Sequence, residues 1–340
     1  MTCDDRRTAC DTGRSPGENP EMNTIRFSLI ILTYNRHDLL RNCIDSAVHQ
    51  DYQKGYEIVV VNDGSTDSTQ DLVGELMQGH PNIVGIRHEK NQGVGAARNT
   101  GIRNANGRYI AFIADDYVLP EDYLSQAEKF FSEYPDAAIM SCRLLHLNDN
   151  YWDLVHYYLY DTIYERLHFL SPITLQKTFQ YIFLRLPPLP PQKSSYFLPP
   201  RPAAVFRREV LEKFQFDATL RSNEDAAISI RLRDAGIPVY LNSDIAIKAS
   251  FEGGLRDYAR KEYTYGKDSL LCEGEEQSLA RAVAQLFGGI IDALIVVRQT
   301  TDLKEYVSLF PGVLCVIIAF RAGYAAAFFR RFIGSDRDRH

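Results

Sequence analysis

The chain has 340 residues, of which 45% are hydrophobic, enough to bury one large core with additions. Its formal net charge of −6 argues against nucleic acid as the main partner. The six cysteines show neither paired spacing nor a ligand motif, which favours reduced thiols and a cytoplasmic protein. Residues 1–23 are polar and contain no apolar run, so we expect a disordered tail and no signal peptide.

Apolar runs alternate with helix-like segments in the first third of the chain. The runs predict strands at residues 25–35, 57–61, 83–86 and 109–114. Helical spacing or small-residue composition predicts helices after 35, after 67 and over 95–105, and Ser65 or Thr66 is expected to cap the second. Strands that are apolar throughout, in a β-α-β-α-β-α-β order, predict a mainly parallel α/β sheet covered on both faces.

The last of these runs ends in two adjacent carboxylates, Asp115 and Asp116, and Pro120 follows. Open α/β sheets bind ligands at the carboxyl ends of their strands, so this pair is suited to hold a divalent metal and a phosphate. The alternative is that both acids cap a helix that starts near Pro120.

Several short motifs follow one another in an order that resembles family 2 glycosyltransferases. They are Thr33-Tyr34-Asn35, residues 61–67, Asn91-Gln92-Gly93 with residues 97–101, residues 113–116, residues 203–208, Phe216-Asp217, Asn223-Glu224-Asp225, residues 230–232 and Ala235-Gly236. The resemblance covers roughly residues 25–270. It implies a GT-A nucleotide-diphospho-sugar transferase fold over residues 24–270.

The resemblance also implies roles for the acids near the amino-terminal strands. Asp116 would coordinate Mg²⁺ or Mn²⁺, which binds the diphosphate, and Asp115 would lie against the ribose and the outer shell of the metal. Asp63 would accept a hydrogen bond from the base, with Thr33 and Asn35 lining the nucleotide pocket. The alternative for Asp63 is an ordinary turn residue.

A second set of candidates lies at two predicted helix starts. Arg98 follows a glycine-rich turn, where its guanidinium would face phosphate, or else it is a solvent-facing arginine. By resemblance, Asp225 is the catalytic base, with Glu224 beside it at the nucleotide-sugar site. Alternatively, both acids only start a helix favourably.

One departure from the family pattern concerns the metal. Many relatives place a histidine after the strand near residues 238–241, but this chain has no histidine between His168 and His340. Lys248 stands near the expected place, where its charge would lie against the diphosphate. A run of basic residues follows in a predicted helix and is expected to be mainly solvated: Arg256, Arg260, Lys261 and Lys267.

Two segments extend beyond the minimal domain. Residues 151–202 are rich in aromatic residues and proline, and form either an acceptor groove or lid, or an extra packing layer. Residues 271–340 contain apolar runs interrupted by arginine, which favours an interfacial helical hairpin with arginines at lipid headgroups. The alternative is a helical pair packed on the catalytic domain or against a second copy in a homodimer.

Taken together, these patterns predict an inverting glycosyltransferase at the cytoplasmic face of the membrane. The donor would be a UDP-sugar, and the acceptor a hydroxyl of a lipid-linked or surface-polysaccharide glycan. A nucleotidyltransferase would show a glycine-rich phosphate loop after the first strand, and residues 33–36 do not form one. An inactive sugar-nucleotide-binding or scaffold protein of the same fold remains as the non-enzyme alternative, because the histidine is missing.

Overall fold

The computed structural model describes residues 25–147, 151–159, 203–220, 223–250, 254–272, 291, 293–296 and 303–337. The strands are β1 (Phe27–Thr33), β2 (Tyr56–Asn62), β3 (Ile83–Arg87), β4 (Tyr109–Ala114), β5 (Tyr117–Val118), β6 (Ile139–His146), β7 (Val205–Arg207) and β8 (Val239–Ala249). The helices are α1 (His37–Val48), α2 (Thr69–Gly79), α3 (Val94–Asn104), α4 (Tyr123–Glu133), α5 (Tyr151–Leu159), α6 (Arg208–Lys213), α7 (Glu224–Asp234), α8 (Leu255–Cys272) and α9 (Leu303–Arg337). The predicted tail 1–23 and residues 160–202 of the insertion lie outside these ranges.

The described strands form one sheet in the order β3-β2-β1-β4-β7-β6-β8-β5. The pairs β1–β2, β1–β4, β2–β3 and β6–β8 are parallel, whereas β7 runs antiparallel to β4 and β6, and β5 runs antiparallel to β8. The predicted parallel α/β sheet is therefore confirmed in its amino-terminal half, and antiparallel pairs extend it on the other side.

The register of the parallel strands brings several loops to one edge of the sheet. Thr33 is paired with Asn62, and Leu32 with Ala114. The residues that follow these strand ends are Tyr34 onward, Asp63 onward and Asp115 onward. Because parallel strands end at the same edge, these three loops form one rim, which is where open α/β sheets bind ligands.

Both faces of the sheet are covered, because each strand sends alternate side chains to opposite sides. On one face, Leu29 and Ile31 pack in a cluster with residues of α1 and α4, such as Leu40 and Tyr123. On the other face, Ile30 belongs to a second cluster, which contains residues of α3, α6 and α7.

A third cluster joins α5, α8 and α9. Val155, Tyr258 and Val313 are fully buried in it. The helices α8 and α9 approach closely, because a Cβ at Gly266 would collide with the Phe320 carbonyl oxygen. The described part of the insertion, α5, packs against α9.

The apolar carboxyl-terminal helix has a mixed environment. Among the described residues, Val307–Arg330 of α9 is a segment long and apolar enough to cross a membrane. Yet 44% of its 18-residue apolar window is buried inside the protein. One face of α9 therefore packs on its own chain, as the alternative to a membrane hairpin predicted.

Two expectations about helix caps are wrong. Helix α2 begins at Thr69, after Ser68, so neither Ser65 nor Thr66 caps it. Instead, the Ser65 hydroxyl accepts a hydrogen bond from the Asn35 N–H at 2.9 Å. Helix α4 begins at Tyr123, beyond β5, so the acids at residues 115 and 116 do not cap it either.

Candidate active site

Asn35 locks the first two loops of the rim together. It adopts a left-handed backbone conformation, with φ of 54°, directly after β1. Its Oδ1 accepts a hydrogen bond from the Thr66 N–H at 2.8 Å, in addition to the bond between its own N–H and Ser65. Thr33, at the end of β1, is buried beside it. The wall predicted for the nucleotide pocket is therefore rigid at this point.

Asp63 is a buried anchor for the loop that follows β3. Its carboxylate accepts hydrogen bonds from the backbone N–H groups of Gln92 and Gly93, each at 2.9 Å. Its Oδ1 also lies 2.7 Å from Nδ1 of His88, whose Nε2 lies 3.0 Å from the Thr100 hydroxyl. Asp63 is thus more than an ordinary turn residue, and recognition of the base by Asp63 stays a prediction.

The acid pair after β4 shares one arginine. Nη1 of Arg36 donates to Oδ1 of Asp115 at 3.0 Å and to Oδ2 of Asp116 at 3.2 Å. Burial raises the pKa of Asp115 to about 6, although the charge of Arg36 acts in the opposite direction. Arg36 was not predicted as a site residue, because an arginine at a helix start carries no distinguishing pattern.

One carboxylate oxygen of this acid pair differs from the others in its hydrogen bonding. Oδ1 of Asp116 is buried and has no hydrogen-bond partner among the described residues. A buried carboxylate oxygen without a donor is costly unless a cation or water satisfies it. No group of three His, Cys, Asp or Glu side chains suited to a metal occurs in the described ranges.

The second acid pair starts α7, as predicted. Glu224 is buried, and its Oε1 lies 2.9 Å from Nη2 of Arg98. The Arg98 guanidinium carbon is 5.1 Å from the ring centroid of Phe112 and 4.8 Å from that of Phe216. Arg98 is therefore not a solvent-facing arginine. Burial raises the pKa of Glu224, and the Arg98 charge opposes this rise.

The neighbouring Asp225 has a different environment. Asp225 is only partly buried, and its Oδ1 accepts a hydrogen bond from the Ala226 N–H at 2.8 Å. Asn223, before the pair, has a left-handed conformation with φ of 58°. Its Nδ2 donates to the backbone carbonyl of Tyr265 at 2.8 Å, which ties the start of α7 to α8.

Tyr265 connects the two acid pairs. Burial raises the pKa of its phenol, and the carboxylates of Glu262, Asp225, Glu224 and Asp116 raise it further. The phenol is therefore within electrostatic reach of both pairs. Tyr265 was not predicted as a site residue, since no local sequence pattern distinguishes it from the other tyrosines of this charged helix.

Lys248 lies on β8, opposite Val118 of the short strand after the acid pair. Its side chain is exposed, and the nearby Ser250 N–H donates to the Asp116 carbonyl at 3.2 Å. The strand that carries Lys248 thus runs beside the first acid pair. Of the basic residues on α8, Arg256, Arg260 and Lys267 are exposed, whereas the Lys261 amine lies 5.7 Å from the ring centroid of Tyr265.

The profile of glycosyl transferase family 2 matches residues 28–214, which is more than half of the chain. This chain belongs to glycosyl transferase family 2. The predicted family is therefore confirmed, and the matched region contains β1 to β4 with the first acid pair. The second acid pair, at residues 224 and 225, lies beyond it.

Curated relatives match parts of the chain. Glycosyltransferase GlyA of Streptococcus pneumoniae is 36% identical over 143 residues, 42% of this chain and 20% of that protein. WfaP of Escherichia coli, a UDP-Glc:alpha-D-GlcNAc-diphosphoundecaprenol beta-1,3-glucosyltransferase, is 34% identical over 113 residues, 32% of this chain and 44% of that protein. The chain thus spans less than half the length of either relative.

A solved structure extends the similarity to nearly the whole fold. The mannosyltransferase PcManGT from Pyrobaculum calidifontis, solved in complex with GDP-Man and Mn²⁺, superposes with a TM-score of 0.56 at 18% identity. The match covers 92% of this chain and 90% of that one. This similarity confirms the predicted GT-A fold.

Proposed function

We propose that this protein is an inverting glycosyltransferase that uses a UDP-sugar. The observation that carries the proposal is the presence of two acid pairs, one after β4 with the buried Oδ1 of Asp116 unpartnered among the described residues, and one at the start of α7. In the reaction, the acceptor oxygen bonds to the anomeric carbon of the sugar as the bond to the diphosphate breaks. The acceptor proton passes to a carboxylate, and UDP leaves with the bonding electrons.

The first acid pair fits a hard divalent cation, Mg²⁺ or Mn²⁺. Carboxylate oxygens are the ligands that these ions prefer, and the buried Oδ1 of Asp116 lacks a donor among the described residues. Asp116 would hold the ion and Asp115 would support it. When bound, such an ion stabilises the negative charge that develops on the departing diphosphate. The exposed Lys248 offers a further positive charge on the adjacent strand.

The second acid pair supplies the base. Glu224 forms a buried ion pair with Arg98, so the charge of its carboxylate is already compensated. Asp225 is partly exposed and is the carboxylate free to accept the acceptor proton. A single base beside the acceptor suits a one-step displacement with inversion, because no second carboxylate is needed as a nucleophile.

We infer the chemical class of the donor and of the acceptor from the relative WfaP. Its name specifies a UDP-sugar donor and a diphosphoundecaprenol-linked glycan acceptor. Both fit the predicted UDP-sugar and lipid-linked acceptor for this chain. An acceptor of this class would be presented at the cytoplasmic face of a membrane.

The proposal is tested by titrating UDP into the protein with and without Mn²⁺, in a calorimeter. We expect Mn²⁺ to strengthen UDP binding, and Asp116→Ala to abolish that strengthening while the protein stays folded. Asp45→Ala removes an exposed carboxylate from α1 and should change nothing. Equal UDP affinity with and without Mn²⁺ in the unmodified protein would contradict the metal site. Binding with no UDP release from any UDP-sugar would favour the inactive sugar-nucleotide-binding alternative.

Membrane contact is proposed for the exposed face of α9. Apart from Ser308, the exposed residues before Arg330 in the described part of α9 follow one another at intervals of three, four or seven positions and are mainly apolar: Val307, Pro311, Cys315, Ile318, Ala322 and Phe329. This spacing places them along one stripe of the helix, and the exposed Arg330 follows at its end. Such a stripe with a terminal cation suits a helix that lies in the interface of an anionic bilayer.

The membrane proposal is tested with a charge in the stripe. Truncating α9 would also expose the buried third cluster, so a point substitution is the sharper test. We expect Ile318→Glu to reduce flotation with anionic liposomes, whereas Met77→Glu, an equal charge change at an exposed position of α2, should not. Absence of flotation by the unmodified protein would contradict the proposal. A change from dimer to monomer in Ile318→Glu would indicate a second copy on the stripe.

A further inference from the structure

Arg36 is bound to the carboxylates beside which the proposed cation would bind. One atom, Nη1, donates to a carboxylate oxygen of Asp115 and to one of Asp116. Its positive charge therefore already compensates the acid pair. A divalent cation bound to Asp116 would lie close to the guanidinium of Arg36, which is held by the same acid pair. The two positive charges would repel each other strongly in a partly buried site.

The position of Arg36 allows its side chain to leave without disturbing the fold. The side chain is 43% exposed, whereas those of its partners Asp115 and Asp116 are 7% and 19% exposed. The backbone before it is fixed, because Asn35 is hydrogen-bonded to Ser65 and Thr66. An arginine with a partly exposed side chain and a flexible stem can change partners without a movement of the backbone.

We propose that Arg36 is an exchangeable cation, which neutralises the acid pair in the nucleotide-free protein and transfers to the donor diphosphate when a divalent cation binds. This inference rests on the proposed function, because it requires the metal and the nucleotide to share the rim. The guanidinium fork matches phosphate oxygens as well as carboxylates. The diphosphate thus supplies a new partner for Arg36 when the carboxylates are needed to hold the divalent cation.

Coupling between metal and nucleotide follows from this exchange. In the absence of nucleotide, Mn²⁺ must displace Arg36 into water, so its affinity is weakened. With UDP present, Arg36 binds the diphosphate, and this penalty disappears. By thermodynamic linkage, UDP then strengthens Mn²⁺ binding by the same factor by which Mn²⁺ strengthens UDP binding.

The experiment measures free Mn²⁺ by electron paramagnetic resonance during titrations with and without saturating UDP. The ratio of the two dissociation constants is the coupling factor. We expect Arg36→Gln to bind Mn²⁺ alone at least about 10-fold more tightly, within the usual range of coupling between sites, and to lower the coupling factor correspondingly. Arg36→Lys, which keeps the charge, should bind Mn²⁺ alone nearly as weakly as the unmodified protein.

The matched control is Arg41→Gln. Arg41 lies one helical turn further along α1 and pairs with the exposed Glu75 at 3.4 Å, so the substitution changes net charge equally without touching the acid pair. It should leave both constants unchanged. Unaltered Mn²⁺ affinity in Arg36→Gln, or an equal gain in Arg41→Gln, would overturn the exchange while leaving the proposed function intact. A protein that binds UDP with no help from Mn²⁺ would overturn both.

Discussion

Each of the two acid pairs consists of two neighbouring carboxylates with one arginine beside them, but the two arginines differ in their surroundings. Asp115 and Asp116 share Arg36, whose side chain is 43% exposed. Glu224 is paired with Arg98, whose side chain is 14% exposed and lies against two phenylalanine rings. The first arginine contacts solvent, and the second is enclosed.

We interpret this difference as one between a proposed binding site and a structural ion pair. Asn99, next to Arg98 in α3, fixes Phe216 by bonding both its backbone N–H and its carbonyl, so the ring beside Arg98 cannot move away easily. Glu224 and Arg98 therefore hold α3 and α7 together. Asp225 is the partly exposed acid of the second pair, whereas in the proposed exchange both acids of the first pair become available when Arg36 leaves.

The largest effect is expected from removing the enclosed arginine. Arg98→Met leaves Glu224 buried without its counter-ion, which typically lowers the free energy of unfolding by about 3–5 kcal/mol. Chemical denaturation measures this loss. Arg256→Met, the same change at an exposed position of α8, should cost less than about 0.5 kcal/mol. Equal losses in the two variants would show that the Arg98 pair is not structural.

The loss in Arg98→Met should also depend on pH. Burial already raises the pKa of Glu224 above its ordinary value, and without Arg98 the rise becomes larger. A carboxyl group with a raised pKa in the folded state stabilises the fold at low pH, and this contribution is lost as pH rises through the folded pKa. The deficit of the variant should therefore be smallest at acidic pH and grow toward neutral pH.

Much of this arrangement follows from the sequence, for physical reasons that differ between elements. β1, β2 and β4 were predictable because parallel strands buried on both faces are continuous apolar runs. β5 and β7 have only two and three residues, and their pairing depends on the tertiary environment rather than on local pattern. The register of β5 against β8 is what places Lys248 on the strand beside Asp116.

The candidate site residues likewise fall into two groups: those that a local sequence signal predicts, and those that depend on contacts between distant parts of the chain. The acids were found because they follow an apolar run or start a helix, which is a local signal. Their partners were not, because Arg36 meets Asp115 across 79 positions of sequence and no local pattern specifies that contact. Tyr265 and Asn99 were missed for the same reason.

The second-largest effect is expected from replacing Asp225, the proposed base of the second acid pair. Asp225→Asn preserves the shape of the helix start but removes the proton acceptor. Transfer should fall by at least roughly 10²-fold, with UDP affinity nearly unchanged. UDP release from a UDP-sugar in the presence of acceptor measures the rate. Asp234→Asn, at the exposed end of the same helix, is the control. Near-normal transfer in Asp225→Asn would assign the base to another residue.

The smallest effect concerns the residue that fixes the start of α7. Asn223 holds a left-handed conformation, and its amide donates to the Tyr265 carbonyl. Asn223→Gly keeps the conformation accessible and removes only the side-chain bond, so we expect a loss of about 1 kcal/mol in unfolding free energy. Asn223→Ala adds the left-handed strain of an ordinary residue and should lose about 2 kcal/mol.

The two Asn223 variants also separate positioning from stability. If the amide orients Asp225, both should lower kcat by a similar factor, about 5-fold, with the KM for donor unchanged, although their stabilities differ. A kcat loss that instead follows stability, absent in the glycine variant and present in the alanine variant, would mean that only the backbone conformation matters. In that case the start of α7 is set by its own turn, and the comparison between the two acid pairs depends on Arg98 alone.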